Sequence, residues 1–166
     1  MPASDLRPAE PVVPPGYHPQ ITELVAYWRR IHPVGGDLPG RQHFDPTEVH
    51  ALLPHIWLMD VFRDPWRFRV RLVGTAIVEF AGRDITGRWC DEAFPNFEAS
   101  DAYQPILTCA DRGVPTFRTA RLLVKDDHRL SQRVHLPLAA DGRRVDGILS
   151  LTRYVRDHPP EVKGPA

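Results

Sequence analysis

The chain of 166 residues has 42% hydrophobic and 25% charged side chains, which is enough for one globular core of about 100–150 residues. Its 21 basic and 21 acidic residues give a formal net charge of zero, so the strongly basic surface of a dedicated nucleic-acid-binding protein is not expected. No apolar run approaches the roughly 18 residues of a membrane span, and the N-terminus lacks the apolar stretch of a signal peptide. These features predict a cytoplasmic protein without membrane insertion.

Proline enrichment marks both ends of the chain. Several of the 18 prolines precede the first periodic segment, and a stretch that lacks backbone donors favours extended, solvated conformations. We therefore predict a disordered, proline-rich tail over residues 1–18, a folded domain over residues 19–156 and a C-terminal tail over residues 157–166.

The first periodic segment follows the proline-rich stretch. Apolar side chains recur there with helical spacing, at Ile21, Leu24, Val25, Trp28 and Ile31. This stripe predicts an amphipathic helix over about residues 20–32. The helix is expected to cover one face of a sheet.

Two strand patterns come next and are predicted to form a hairpin. Residues 56–62 are apolar at nearly every position, which is typical of a strand covered on both faces. Residues 67–72 alternate arginine with apolar side chains, which is the pattern of a strand with one core face and one polar face.

The rest of the chain predicts a helical middle and a run of hairpins. One short helix covers residues 75–81 and is closed by Gly82, and a second ends at Gly113. Three more strands are predicted, at residues 116–125, 130–138 and 145–155, with turns at residues 126–128 and 141–142. The order predicts an α+β fold with a five-stranded antiparallel sheet and short helices largely on one face.

Two sequence runs resemble elements of PAS domains. Residues 68–75 (FRVRLVGT) are similar to the second PAS strand, and residues 80–88 (FAGRDITGR) resemble the "G-x-x-x-x-G-R" turn that follows it. With Leu136-Pro137-Leu138 and the strand order, the chain from Ile21 to Tyr154 resembles a bacterial family of short, stand-alone PAS-like proteins. The resemblance implies a sensory or protein-interaction module whose sheet and short helices enclose a small pocket.

The resemblance also implies candidate site residues. The wall of the pocket is expected from inward strand positions and the helical middle, namely Leu72, Ile77, Phe80, Trp89, Phe94, Tyr103, Leu107, Leu122 and Leu136. The alternative is that these side chains simply fill a core. PAS-like modules often dimerise through a helix N-terminal to the core, so a homodimer is predicted through Leu24, Val25, Trp28 and Ile31.

Cofactor chemistry is not predicted. Cys90 aligns with the flavin-reactive cysteine of blue-light PAS domains, but Trp89 and Asp91 depart from that motif, so a buried structural thiol is expected. Haem needs an axial ligand, and residues 98–113 contain no histidine, while His135 is expected to point outward with Arg133. A haem- or flavin-bearing sensor is kept as the alternative function.

Catalytic and metal-binding signatures are also missing. No G-x-S-x-G, H-E-x-x-H, G-x-G-x-x-G or phosphate-binding loop occurs, and neither cysteine belongs to a C-x-x-C pair. We therefore predict no enzyme, no catalytic residue and no metal site, with a small hydrolase or isomerase in the same cavity as a further alternative.

The most distinctive polar feature is the arginine stripe of the second predicted strand. Arg67, Arg69 and Arg71 share one face, which is either solvated and ion-paired or recognises a carboxylate, a phosphate or an acidic partner. Arg71 lies inside the family-like run and is the anion-recognition candidate. The sequence thus predicts a regulator that binds a small ligand or a protein partner and signals through protein contact, since no output domain is recognised.

Overall fold

The computed structural model of the chain describes residues 11–124 and 127–157. A five-stranded antiparallel sheet with strand order β2-β1-β5-β4-β3 forms its centre, which confirms the predicted α+β fold. Within the described residues, no helix is long and apolar enough to cross a membrane. The elements are α1 (Pro19–Arg30), β1 (Ile56–Phe62), β2 (Arg67–Val73), α2 (Thr75–Ala81), α3 (Cys90–Ala93), α4 (Tyr103–Arg112), β3 (Thr116–Val124), β4 (Asp127–Leu138) and β5 (Gly147–Arg156).

Both faces of the sheet are covered, as the uninterrupted apolar pattern of β1 predicts. On the face that we call the inner face, Trp57 and Met59 join an apolar core with α2, α3 and α4. On the opposite face, the α1 face, Ile56 and Leu58 join a second core beneath α1. Alternate residues of one strand therefore belong to different cores, which follows from the two-residue period of a strand.

Helix α1 packs its apolar stripe on the sheet of its own chain. Leu24, Val25 and Trp28 are at most 4% exposed, and the Trp28 indole Nε1 donates a hydrogen bond of 2.9 Å to the carbonyl of Pro137 in β4. Ile31, just after the helix, packs against the same core. The predicted dimer interface is therefore corrected: these side chains bind the sheet and do not present a surface to a second copy.

Short helices connect α1 to β1 along one side of the α1 face. These are 3₁₀ turns at Arg41–His43, Pro46–Val49 and Leu53–His55. The Asp45 carboxylate caps the second of them by accepting a hydrogen bond of 2.9 Å from the Thr47 backbone N–H. A Cβ atom at Gly74 would lie 2.3 Å from the Pro54 carbonyl oxygen, so glycine is required where β2 ends against the third turn.

The residues before α1 contact the sheet. The Gln132 side-chain amide donates to the carbonyl of Gly16 at 2.9 Å and accepts from the His18 backbone N–H at 2.8 Å. Tyr17 packs edge-on against Phe117 of β3, with ring centroids 5.7 Å apart. The predicted tail over residues 1–18 is thus described only in part. Residues 1–10, residues 158–166 and the middle of the predicted turn at 126 lie outside the described residues.

Candidate ligand-binding site

Four of the predicted pocket residues meet in the inner core. Ile77 is 8% exposed and buried in this core, and Phe94, Tyr103 and Leu107 pack against it. Phe68 of β2 contacts the Tyr103 ring edge-on at 6.2 Å. The part of the inner face that lies beneath α3 and α4 near β2 is therefore a packed aromatic core.

The other predicted pocket residues are dispersed. Leu136 is fully buried in the α1-face core, so its expected place in the pocket is wrong. Leu72 is 43% exposed and lines a groove on the α1 face, and so it too lies outside the inner core. The Arg67 guanidinium lies over the Trp89 ring, with its Cζ 4.1 Å from the ring centroid. Leu122 is partly buried on β3.

Phe80 approaches the inner face at a different point. Its ring stacks on Tyr154 of β5, with centroids 3.5 Å apart and planes inclined by 10°. Tyr154 lies directly opposite Ser131 of β4 in the strand register. Helix α2 therefore covers the outer end of β5, next to a group of polar side chains on β4.

His135 does not point outward as the sequence suggested. It is 1% exposed and lies on the inner face, where its Nδ1 is 2.7 Å from Ser150 Oγ. Burial, followed by the charges of Arg133 and Arg118, lowers the pKa of His135 to about 3, so the imidazole is neutral near pH 7. The physical reason for the error is that β4 is covered on both faces, so polar alternation does not identify a solvent face.

Arg133 shares the inner face with His135. Its Nε donates to Ser131 Oγ at 3.1 Å, and its Cζ lies 5.5 Å from the centroid of the Trp57 ring. The Tyr154 hydroxyl lies near enough to its guanidinium to influence its pKa. Burial lowers the pKa of Arg133 and raises that of Tyr154. Both shifts reflect the cost of placing a charge away from water.

The arginine stripe of β2 is ion-paired on the α1 face. Asp60 of β1 is 7% exposed and accepts hydrogen bonds from Arg41 at 2.8 Å and Arg69 at 3.0 Å, while Arg71 is 3.5 Å away. Burial raises the pKa of Asp60, but the hydrogen bonds from Arg69 and Arg41 outweigh it, so the pKa is lowered. Arg67 instead pairs with Asp91.

A groove of about 610 Å³ runs beside this arginine cluster. Its floor is formed by Ile56, Leu58 and Leu72 on the α1 face of β1 and β2, and its walls come from the 3₁₀ turns. Arg41, which pairs with Asp60, lies at the edge of the groove. The groove is thus apolar along its length and basic at one end.

Cys90 is a buried thiol. It is 1% exposed within the inner core, and burial raises its pKa to about 12. Cys109 is fully buried, and burial raises its pKa as well. Both cysteines are therefore buried thiols that stay protonated near pH 7.

Several residues of the arginine cluster and of the inner face were not identified from the sequence. Asp60 is the only charged residue in residues 56–62, and a lone acid opposite an arginine stripe was the signal for the cluster. Arg118 and Thr152 were assigned no role. No signal in their own strands marked them, because only the register of the folded sheet places them beside Arg133.

A family model described as "PAS domain" matches residues 17–151. The chain belongs to the PAS domain family. PAS domains are a family of sensory modules. No curated protein matches the chain.

Solved structures resemble this PAS domain at low identity. The Rhodobacter sphaeroides LOV protein is 16% identical over 68% of this chain and 69% of its own, with a TM-score of 0.48. The light-state structure of the blue-light photoreceptor Aureochrome1 LOV is 15% identical over 67% of this chain and 88% of its own, with a TM-score of 0.45.

Proposed function

We propose that this PAS domain is a non-enzymatic regulator, acting in the cytoplasm, that signals by binding a partner protein in the groove of the α1 face. The expected partner segment carries apolar side chains flanked by acidic residues. Apolar anchors occupy the floor over Leu58 and Leu72, and carboxylates pair with Arg41 and Arg71 at the basic end.

The charge imbalance at the groove supports this proposal. Three arginines share the single carboxylate of Asp60, so the cluster retains a formal charge of about +2. Arg71 is the most weakly held of the three and its side chain is 49% exposed. A planar guanidinium with free donors suits recognition of a carboxylate.

The exposed apolar floor is the second support. Leu72 lies on an edge strand and is 43% exposed, next to Leu58, which is 8% exposed. A contiguous apolar groove with a polar rim is the usual anatomy of a protein interaction site. Helix α1 covers β4 and β5 on this face, and the groove over β1 and β2 is open to a partner.

A peptide-display experiment tests the proposal. Libraries of random 16-residue peptides are selected on the purified domain and sequenced, and the affinities of enriched peptides are measured by fluorescence anisotropy. We expect enriched sequences to combine leucine or aromatic residues with aspartate or glutamate. Arg71→Glu should weaken their binding at least tenfold, because it turns an attraction into a repulsion.

The matched control is Arg112→Glu, which makes the same charge change at an exposed position at the end of α4. Enrichment without acidic residues, no enrichment at all, or equal losses in the two variants contradicts the proposed function. An absorbance spectrum of the freshly purified protein is recorded first. A Soret band or flavin peaks would instead support the cofactor-bearing sensor.

A further inference from the structure

Two aromatic side chains lie on the α1 face, at the other end of the arginine cluster from the groove. Phe62 of β1 is 40% exposed, and its ring contacts the ring of Trp89, with centroids 5.1 Å apart and planes inclined by 62°. Trp89 pairs with Arg69 at the free edge of β2, so their side chains share one face. We call Phe62 and Trp89 the aromatic pair.

Arginine side chains connect the aromatic pair to the cluster around Asp60. Arg69 donates a hydrogen bond of 3.0 Å to Asp60, and its Cζ lies 5.4 Å from the centroid of Phe62 and 5.7 Å from that of Trp89. On the other side, the Arg67 guanidinium lies over Trp89. Cations over ring faces hold both groups in place. The aromatic pair is therefore a preformed surface that continues the arginine cluster.

The order of surfaces along β1 is apolar, charged and aromatic. Leu58, Asp60 and Phe62 occupy alternate positions of the strand, and the last of them spans about 14 Å from the first at 3.4 Å per residue. Leu72, opposite Leu58, and Phe62 are exposed to the same extent, 43% and 40%. An extended peptide has the same two-residue period, so three alternate side chains of one segment match the three surfaces.

The formal charge changes sign beyond the aromatic pair. Three arginines share the carboxylate of Asp60, whereas Arg67 alone faces the two carboxylates of Asp91 and Glu92, at 2.9 and 3.5 Å. An acidic residue of a partner is therefore favoured over the cluster and disfavoured past the aromatic pair, because like charges across an interface cost affinity.

We propose that the partner segment continues from the groove across the arginine cluster and binds a second apolar side chain on the aromatic pair. This inference rests on the proposed function and specifies its partner. The partner is an extended protein segment with one acidic residue at its centre and an apolar anchor two positions away on each side. One anchor occupies the floor over Leu58 and Leu72, and the other contacts Phe62 and Trp89.

A double-mutant cycle on the selected peptides tests the second anchor. Enriched sequences should carry apolar residues two positions before and two positions after an aspartate or glutamate, and each anchor of a binding peptide is replaced in turn by serine. Phe62→Ser should weaken the unaltered peptide by about 5–20-fold, because an apolar contact is lost. It should not weaken further the peptide that lacks the matching anchor.

The matched control is Val114→Ser, which removes an apolar side chain that is 39% exposed between α4 and β3. This variant should bind every peptide as the unaltered protein does. Thermal unfolding of both variants verifies that they are folded.

Fluorescence gives a second readout that does not depend on Phe62→Ser. A tryptophan-free peptide should shift the emission of the domain to shorter wavelength, because binding removes Trp89 from water. Trp89→Phe should abolish most of this shift. An unchanged shift in that variant would place the anchor elsewhere.

The position of the acidic residue tests the charge pattern. A peptide with the same composition, in which the acidic residue is moved two positions beyond the second anchor, should bind at least tenfold more weakly. Equal affinities of the two peptides would contradict the proposed order of surfaces.

Failure of this proposal differs from failure of the proposed function. If Arg71→Glu weakens the peptides but Phe62→Ser acts no more strongly than Val114→Ser, the groove binds a segment that ends at the arginines, and the second anchor is wrong. If both serine peptides respond to Phe62→Ser as the unaltered peptide does, the anchor does not contact Phe62. If no peptide depends on Arg71, the proposed function fails and the second anchor fails with it.

Discussion

At the scale of single residues, the inner face carries polar side chains in positions where a core would be expected. His135 is held neutral by burial and by two neighbouring guanidiniums, and its ring contacts Ser150 Oγ at 2.7 Å. A neutral imidazole is tolerated at this position because it adds no third positive charge. Protonation would add one at a site that already holds Arg118 and Arg133.

The stability of the domain is therefore expected to depend on His135 below neutral pH. An unfolded histidine has a pKa of about 6.5, and the folded pKa is lowered to about 3. The stabilisation is fully present above pH 6.5 and is lost as the pH falls from 6.5 towards 3. By linkage, this group alone should cost about 2 kcal/mol between pH 7 and pH 5.

Urea unfolding at pH 7, 6 and 5 measures this loss. His135→Asn keeps a polar side chain beside Ser150 but does not titrate, so its stability should fall less steeply with pH. His128→Asn, at an exposed position of the same strand, should retain the full slope. Identical slopes for the unaltered protein and His135→Asn would contradict the assignment.

At the scale of elements, the structure corrects the role of α1. The apolar stripe predicted that the helix covers the sheet, and the resemblance implied that the same stripe forms a dimer interface. It serves the first role through Leu24, Val25 and Trp28, and the hydrogen bond from Trp28 to Pro137 fixes its position on β4. One stripe cannot be buried twice, so a second copy would have to bind elsewhere.

Substitution of Trp28 separates these two roles. Trp28→Ala should destabilise the domain by about 3–5 kcal/mol, as expected for a buried tryptophan, with no change in mass by light scattering. Glu23→Ala, on the exposed side of α1, should change stability by less than about 0.5 kcal/mol. A reduced mass with unchanged stability would restore the dimer interpretation.

The elements themselves could be predicted closely from the sequence. Strand β1 and helix α2 begin and end where their patterns predict, because a doubly buried strand and a helix closed by Gly82 carry strong local signals. The faces of β4 could not be predicted. Its apolar register faces α1 and its polar register faces α4, so Arg133 and His135 resembled a solvent face although they line a buried one.

The candidate site could be predicted only in part, because the sequence did not show which faces of the strands are buried. The aromatic positions that the resemblance implied, such as Phe94 and Tyr103, pack a core. Arg118 and Thr152 carry no local signal, because only the strand register brings them beside Arg133. By contrast, Arg71 was found from sequence, since its alternation with apolar residues marks the face of β2.

At the scale of the whole molecule, a net charge of zero conceals two groups of arginines on opposite faces of one sheet. The cluster around Asp60 is partly neutralised, whereas no carboxylate among the described residues pairs with Arg118 or Arg133. Strand β1 joins the two regions. Trp57 lies beside Arg133 on the inner face, and its neighbours Ile56 and Leu58 form the floor of the groove.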